Sequence, residues 1–245
     1  MSYDLHKSLD ESFLLCYTEI SKEVMDLKSM YSIVLSDDLV REVDLLARAR
    51  GTNRSGLINE ILAEYFSLTT PERQIGDIFE YILGTTRADS SLQRVAPISG
   101  SMLHVKSVLR YKYSPTIRYS VELSADTEGY TGGVRVQSRT QRPALIELLD
   151  LFFVAWIRLE RDCLQQQGTA LPPRYETGDG RLWRPLRVQG RPDPQKLGES
   201  IGLYIKLLDK AMELFFLSRP ETVNRTQQEL IHLYSSYLNT SEVLF

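Results

Sequence analysis

The spacing of apolar positions divides the chain into segments of different period. Leu9, Phe13, Tyr17 and Ile20 recur at helical spacing, which predicts an amphipathic arm over residues 1–29. From Met30 the pattern alternates. Tyr31, Ile33 and Leu35 face one way and Met30, Ser32 and Val34 the other, as in a short strand. Ser36-Asp37-Asp38 then opens a helix whose apolar face is Leu39, Val43, Leu46 and Ala47. Gly51 suits the left-handed position that ends a helix, and Asn53 is a good N-cap for the next one. That second helix carries Leu57, Ile58, Ile61, Leu62 and Tyr65 as one stripe. Thr70-Pro71 starts a further helix with Ile75, Ile78, Phe79 and Ile82 on its buried face. The Gly, Ser, Thr, Asp and Pro residues of 84–101 predict a connector.

Residues 102–139 return to strand periodicity. Leu103, Val105, Val108 and Leu109 begin a run that Ser114-Pro115 breaks, and Ile117, Tyr119, Val121 and Leu123 alternate after it. Val134 and Val136 then oppose Arg135, Gln137 and Arg139, so a small antiparallel sheet with one dry face is expected. Thr140 and Pro143 open a long apolar helix to about residue 167. The loop-rich stretch 168–194 holds one candidate strand, Leu182–Val188. Asp193-Pro194 starts a helix to about Leu217. Ser218 and Glu221 have capping-box spacing for a last helix, with Val223, Leu230, Tyr234, Tyr237 and Leu238 on its face. The expected fold class is α+β and mainly helical. Its segments are an arm (1–29), a strand–helix–helix unit (30–68), a helix and connector (69–101) and a C-terminal domain (102–245). In that domain the sheet spans about 102–139 and the helices about 141–167, 194–217 and 219–238.

Composition narrows the classes. The chain has 245 residues, with 29 Lys+Arg against 32 Asp+Glu and a formal net charge of −3. Its 42% hydrophobic and 25% charged residues are ordinary for a globular protein and exclude a disordered or collagen-like chain. Cys16 and Cys163 lie far apart with no CxxC, and His6, His104 and His232 are the three histidines. A reducing cytoplasm is therefore expected, with neither a metal site nor a cofactor. The most apolar stretch, Ala144–Leu159, is interrupted by Glu147, Asp150 and Arg158, so it reads as a buried helix rather than a membrane span. GxSxG, GxxxxGK[ST], HExxH and GxGxxG are all lacking, which points away from an enzyme, and no catalytic residue is expected.

The stretch 30–66 carries the functional signal. About 37 residues bury too little surface to fold alone, and a lone strand leaves its hydrogen-bonding groups unpaired. A symmetric dimer solves both problems by pairing the two strands and pooling four helices. The strand–Ser-Asp-Asp–helix–Gly-Thr-Asn-Arg-Ser–helix order resembles the ribbon-helix-helix (CopG-like) family of prokaryotic and phage DNA-binding proteins. The resemblance covers 30–66 and nothing beyond. It implies a homodimer, or a higher oligomer, on double-stranded DNA in transcription regulation. It also implies base readout by Met30, Ser32 and Val34 from a ribbon in the major groove. Phosphate would be held by Lys28, Asn53, Arg54 and Ser55, the last three at a helix N-terminus. The dimer core would be Tyr31, Ile33, Leu35, Leu39, Val43, Leu46, Leu57, Ile58, Ile61, Leu62 and Tyr65. Met30 and Val34 depart from the polar residues common at the groove positions. They can touch thymine methyls but cannot read bases by hydrogen bonds, and a module that only dimerises is the alternative.

Charge is unevenly placed. Residues 31–70 are net acidic, whereas 100–142 carry seven Lys and Arg against three acids. Bases and aromatics interleave over Arg110–Tyr119. Arg110, Tyr111, Lys112, Tyr113, Arg118, Tyr119, Arg135 and Arg139 form a second candidate surface, for RNA or single-stranded nucleic acid or for an anionic effector. Packed tyrosines under a solvated basic face are the other reading of the same residues.

Overall fold

A computed structural model describes residues 32–66, 70–87, 91–95, 100–126, 128–168 and 173–243. The expected arm over 1–29, with Lys28, Met30 and Tyr31, lies outside them. The chain divides into two compact units, Met1–Leu68 and Thr69–Phe245.

In the first unit, α1 spans Asp37–Arg50 and α2 spans Arg54–Tyr65. Ser36 caps α1 by accepting the Leu39 N–H. Asp37 and Asp38 in the first turn, with Arg48 and Arg50 in the last, complement the helix dipole. Gly51 sits at φ 65°, and the Thr52 N–H reaches the Ala47 carbonyl at 3.0 Å, a Schellman closure that turns the chain toward α2. The described core of this unit is Val43, Ala47 and Leu57, with Ile58 against them. Residues 32–36 form no strand, a departure from the alternating pattern. The cause is topological: a strand needs a ladder partner, and the described residues of one protomer offer none in this unit.

The second unit contains α3 (Pro71–Arg87), β1 (Gln93–Arg94), β2 (Met102–Val108), β3 (Thr116–Ala125), β4 (Gly129–Ser138) and α4 (Pro143–Gln166). Then come β5 (Glu176–Gly178), β6 (Arg181–Gln189), α5 (Pro194–Leu217), a 3-10 turn (Pro220–Thr222) and α6 (Val223–Thr240). The sheet is antiparallel, with strand order β1-β2-β3-β4-β6-β5. It is wider than the stretch 102–139, because β6 joins β4 and β1 and β5 cover the edges. The stretch read as a connector contains the last turn of α3 and β1. The last helix is not entered through Ser218 and Glu221. Ser218 ends α5, and Arg219 and Thr222 close the 3-10 turn that precedes the last helix, the Arg219 N–H donating to Thr222 Oγ1 at 3.0 Å.

The dry face presents Leu103 and Val105, Ile117, Tyr119, Val121 and Leu123, Val134 and Val136, and Leu182 and Leu186 to the helices. Two glycines set how closely α3 and α5 approach. A Cβ on Gly198 would lie 2.6 Å from the Tyr81 Cβ, and one on Gly202 would lie 2.7 Å from the Thr85 Cβ. One polar cluster sits within this core. Glu160 on α4 accepts from Arg184 Nε at 2.7 Å and from the Tyr204 and Tyr234 hydroxyls at 3.0 Å each. Trp156 Nε1 donates to Tyr204 at 3.1 Å. A buried ion pair requires such surrounding hydrogen bonds to offset its desolvation.

Candidate nucleic-acid interface

Leu39, Leu46, Ile61, Leu62 and Tyr65, read as dimer core, are all exposed in the single protomer, whereas Val43 and Leu57 are buried. One protomer therefore buries only part of the stripe, and the remainder is open on both helices. Ile33 is exposed as well, and Leu35 is half-buried. Ser32 is exposed and Val34 is 98% exposed, so neither groove position is spent on packing.

The N-terminus of α2 shows how its phosphate candidates are engaged. Asn53 accepts the Gly56 N–H at 2.8 Å and so occupies the third amide of the helix. The earlier amides, those of Arg54 and Ser55, stay at the open end, where the helix dipole favours an anion. Arg54 is not free for that anion. Its guanidinium forks onto Asp44 of α1, Nε to Oδ1 at 2.8 Å and Nη2 to Oδ2 at 2.6 Å. This bond holds the Asp44 carboxyl below its ordinary range and raises Arg54. The geometry thus makes Arg54 a strut between the two helices as well as a nearby positive charge.

The second candidate surface does not come together as the sequence suggested. Tyr119 is fully buried on the dry face and donates to Asp209 at 2.7 Å. Burial, then the Asp209 charge, pushes its hydroxyl far above the usual tyrosine range. It cannot stack a nucleobase, because its alternation with Ile117 and Val121 turns it inward. Tyr111 is half-buried against Phe216, with ring centroids 5.0 Å apart. Arg110 pairs with Glu213 at 3.4 Å, and Arg135 pairs with Glu122 at 3.5 Å while lying over the Trp183 ring. Lys112 is exposed. Tyr113, Arg118 and Arg139 do converge, in a cleft of about 710 Å³ that also takes in Lys106 and Arg142. Sequence reasoning counted those two cations but could not place them, because the convergence depends on strand register. Lys106 lies directly opposite Arg118 across the β2–β3 ladder.

A separate apolar groove of about 890 Å³ runs between α4, the end of α5 and α6, with Phe152, Trp156, Leu159, Phe215, Phe216 and Leu230 in its walls. No sequence signal announced it, since its walls come from three helices distant in the chain.

The first unit is thus a two-helix module with a minimal core and an open apolar stripe. Its second helix is capped and presents free amides, which is the construction of a dimerising, anion-gripping module. Residues 32–66 match the ribbon-helix-helix protein, copG family, so this module is a ribbon-helix-helix unit, a DNA-binding class that dimerises. The rest of the chain matches no family. No curated protein and no solved structure matches the chain. No helix among the described residues is long and apolar enough to cross a membrane.

Proposed function

We propose that the protein is a homodimeric, sequence-specific DNA-binding transcriptional regulator of the cytoplasm with no catalytic activity of its own. The observation that carries this reading is the open stripe of the module. Two copies would pair their 32–35 segments as a ribbon and bury Leu39, Leu46, Ile61 and Leu62 between four helices. Ser32 and Val34, exposed in the protomer, would then face the major groove, and the α2 amides would meet phosphates on either side. Val34 favours thymine methyls, and Ser32 supplies a hydrogen-bonding group, so a site with thymines at the apolar contacts is expected. The second unit would serve oligomerisation or effector sensing, and its apolar groove is of ligand-binding size.

Selection from pooled duplexes followed by a salt titration tests the reading. The expected outcome is an enriched sequence with inverted or direct half-sites, bound more tightly than random duplex at every salt concentration. Affinity that never exceeds that for random duplex would remove the operator function.

A further inference from the structure

The cleft at one end of the sheet has an unusual charge balance. Lys106 on β2, Arg118 on β3, Arg139 just past β4 and Arg142 at the start of α4 all line it, and no carboxylate does. Several other cations of the unit meet carboxylates: Arg110 with Glu213, Arg135 with Glu122, Arg187 with Glu128 and Lys196 with Glu242. None of the four cleft cations has a carboxylate partner among the described residues. Lys106 and Arg118 are also half-buried, side by side on neighbouring strands. Like charges so placed repel each other, and a bound anion would relieve that repulsion.

Two further features shape the cleft. Arg142 is the N-cap residue of the 24-residue helix α4 and makes no side-chain cap bond, so the positive end of that helix adds to the four charges. Tyr113 and Ser114 both take left-handed backbone angles, φ 69° and 45°, which are costly for residues with a Cβ. That turn brings the Tyr113 ring to 3.7 Å from the Arg142 guanidinium. Four cations thus line the cleft, and Val95, Pro115 and Leu145 add apolar surface to its lining.

We infer that this cleft binds a small phosphate-rich anion of nucleotide size, a nucleoside triphosphate by class, with Lys106, Arg118, Arg139 and Arg142 on the phosphates. A volume of about 710 Å³ suits one such molecule. Four cations match the charge of one triphosphate group, and the apolar part of the lining suits a base. A single nucleic-acid strand fits less well, because Tyr119 and Tyr111 are turned into the core and leave no run of aromatics for successive bases.

Calorimetry on the full chain at low salt, with each of the common nucleoside triphosphates and a single-stranded oligonucleotide as probes, tests the inference independently of DNA binding by the module. At least one triphosphate binds with micromolar affinity, and binding weakens as salt rises. Lys106→Ala with Arg118→Ala lowers the affinity by about tenfold or more. Arg139→Gln with Arg142→Gln does the same outside the strands, should the first pair perturb the sheet. Arg187→Ala, on a cation already paired with Glu128, changes nothing. The inference fails if no triphosphate binds, if both double variants bind as well as the parent, or if the oligonucleotide binds more tightly and displaces the triphosphates.

Discussion

Ile61→Ala separates the two readings of the module's stripe. Ile61 is 44% exposed in the protomer. If nothing covers its exposed part, truncation leaves association unchanged and costs only what the protomer itself buries. If a second copy covers it, association weakens, and the size of that loss follows from the exposure. Isoleucine to alanine deletes three carbons, worth about 2.4 kcal/mol at about 0.8 kcal/mol each. Only the still-exposed share belongs to the dimer contact, which leaves about 1 kcal/mol per site. The symmetric interface contains the site twice, so the transfer term is about 2 kcal/mol, and cavities left at the two sites raise it to roughly 2–4 kcal/mol. At 1.4 kcal/mol per tenfold, the dimer dissociation constant rises roughly 30- to 1000-fold.

Sedimentation equilibrium over a wide concentration range reads this directly. Leu45→Ala is the control. Leu45 is 61% exposed, more than Ile61, but lies two residues from both Val43 and Ala47 and so on the opposite side of α1. It should leave association unchanged. An Ile61→Ala protein that associates like the parent, or a Leu45→Ala protein that loses association equally, refutes the assignment of this stripe to a dimer core. The melting of the second unit gives an internal check, since its core shares no residue with the module's.

Further outcomes follow from the same structure. Asp44→Asn releases the Arg54 guanidinium from its fork, so duplex affinity rises and the slope of log K against log salt steepens by roughly two, one contact per protomer at about 0.9 each; an unchanged slope shows that Arg54 does not reach phosphate. The parent pair has a defined pH sense. The Asp44 carboxyl in the fold lies below its unfolded value of 3.8, so its contribution is present above that value and lost as pH falls through the folded one, readable as a shallower acid limb in Asp44→Asn. Glu160→Ala leaves Arg184, 2% exposed, buried without its carboxylate, and costs about 3–5 kcal/mol in denaturant unfolding; replacing both residues by methionine costs much less. Gly198→Ala drives a Cβ to 2.7 Å from the Ile78 carbonyl oxygen and destabilises the second unit by about 1–3 kcal/mol, with a drop in melting temperature as the readout.

Local features were legible in the sequence because their physics is local. Ser36, Gly51, Asn53 and Asp193-Pro194 act within a turn of chain, and each caps or ends the helix its identity suggests. The alternation from Ile117 to Leu123 already contained the burial of Tyr119. Reading that tyrosine as a stacking group followed its chemistry and overlooked its parity. The Glu160–Arg184 pair spans α4 and β6, and no spacing rule links a helix residue to a strand residue across a loop. The alternation at 32–35 forms no strand for a different reason: no segment among the described residues of this unit pairs with it. On the dimer reading proposed above, the ladder partner of this segment is its own copy in a second chain.

The net charge of −3 illustrates why segment counting misleads in both directions. Counted along the chain, residues 100–142 look broadly basic, which suggested a surface for nucleic acid. In the fold, two of those cations meet carboxylates, Arg110 one from another segment and Arg135 that of Glu122 within the stretch. Glu213 of α5 meets Arg110, and Glu128, within the same stretch, is drawn off to Arg187 of β6. Apart from the exposed Lys112, the cations of this stretch without a carboxylate partner among the described residues gather at one cleft, and that compactness changes the chemistry they suit. A broad basic face screens and slides along a polymer, whereas four cations around one cleft match a small ligand of high charge density. The module shows the converse. Its helices are net acidic, yet the groups that would meet DNA are backbone amides at the start of α2 and a few residues before α1, which a count of charged side chains does not register.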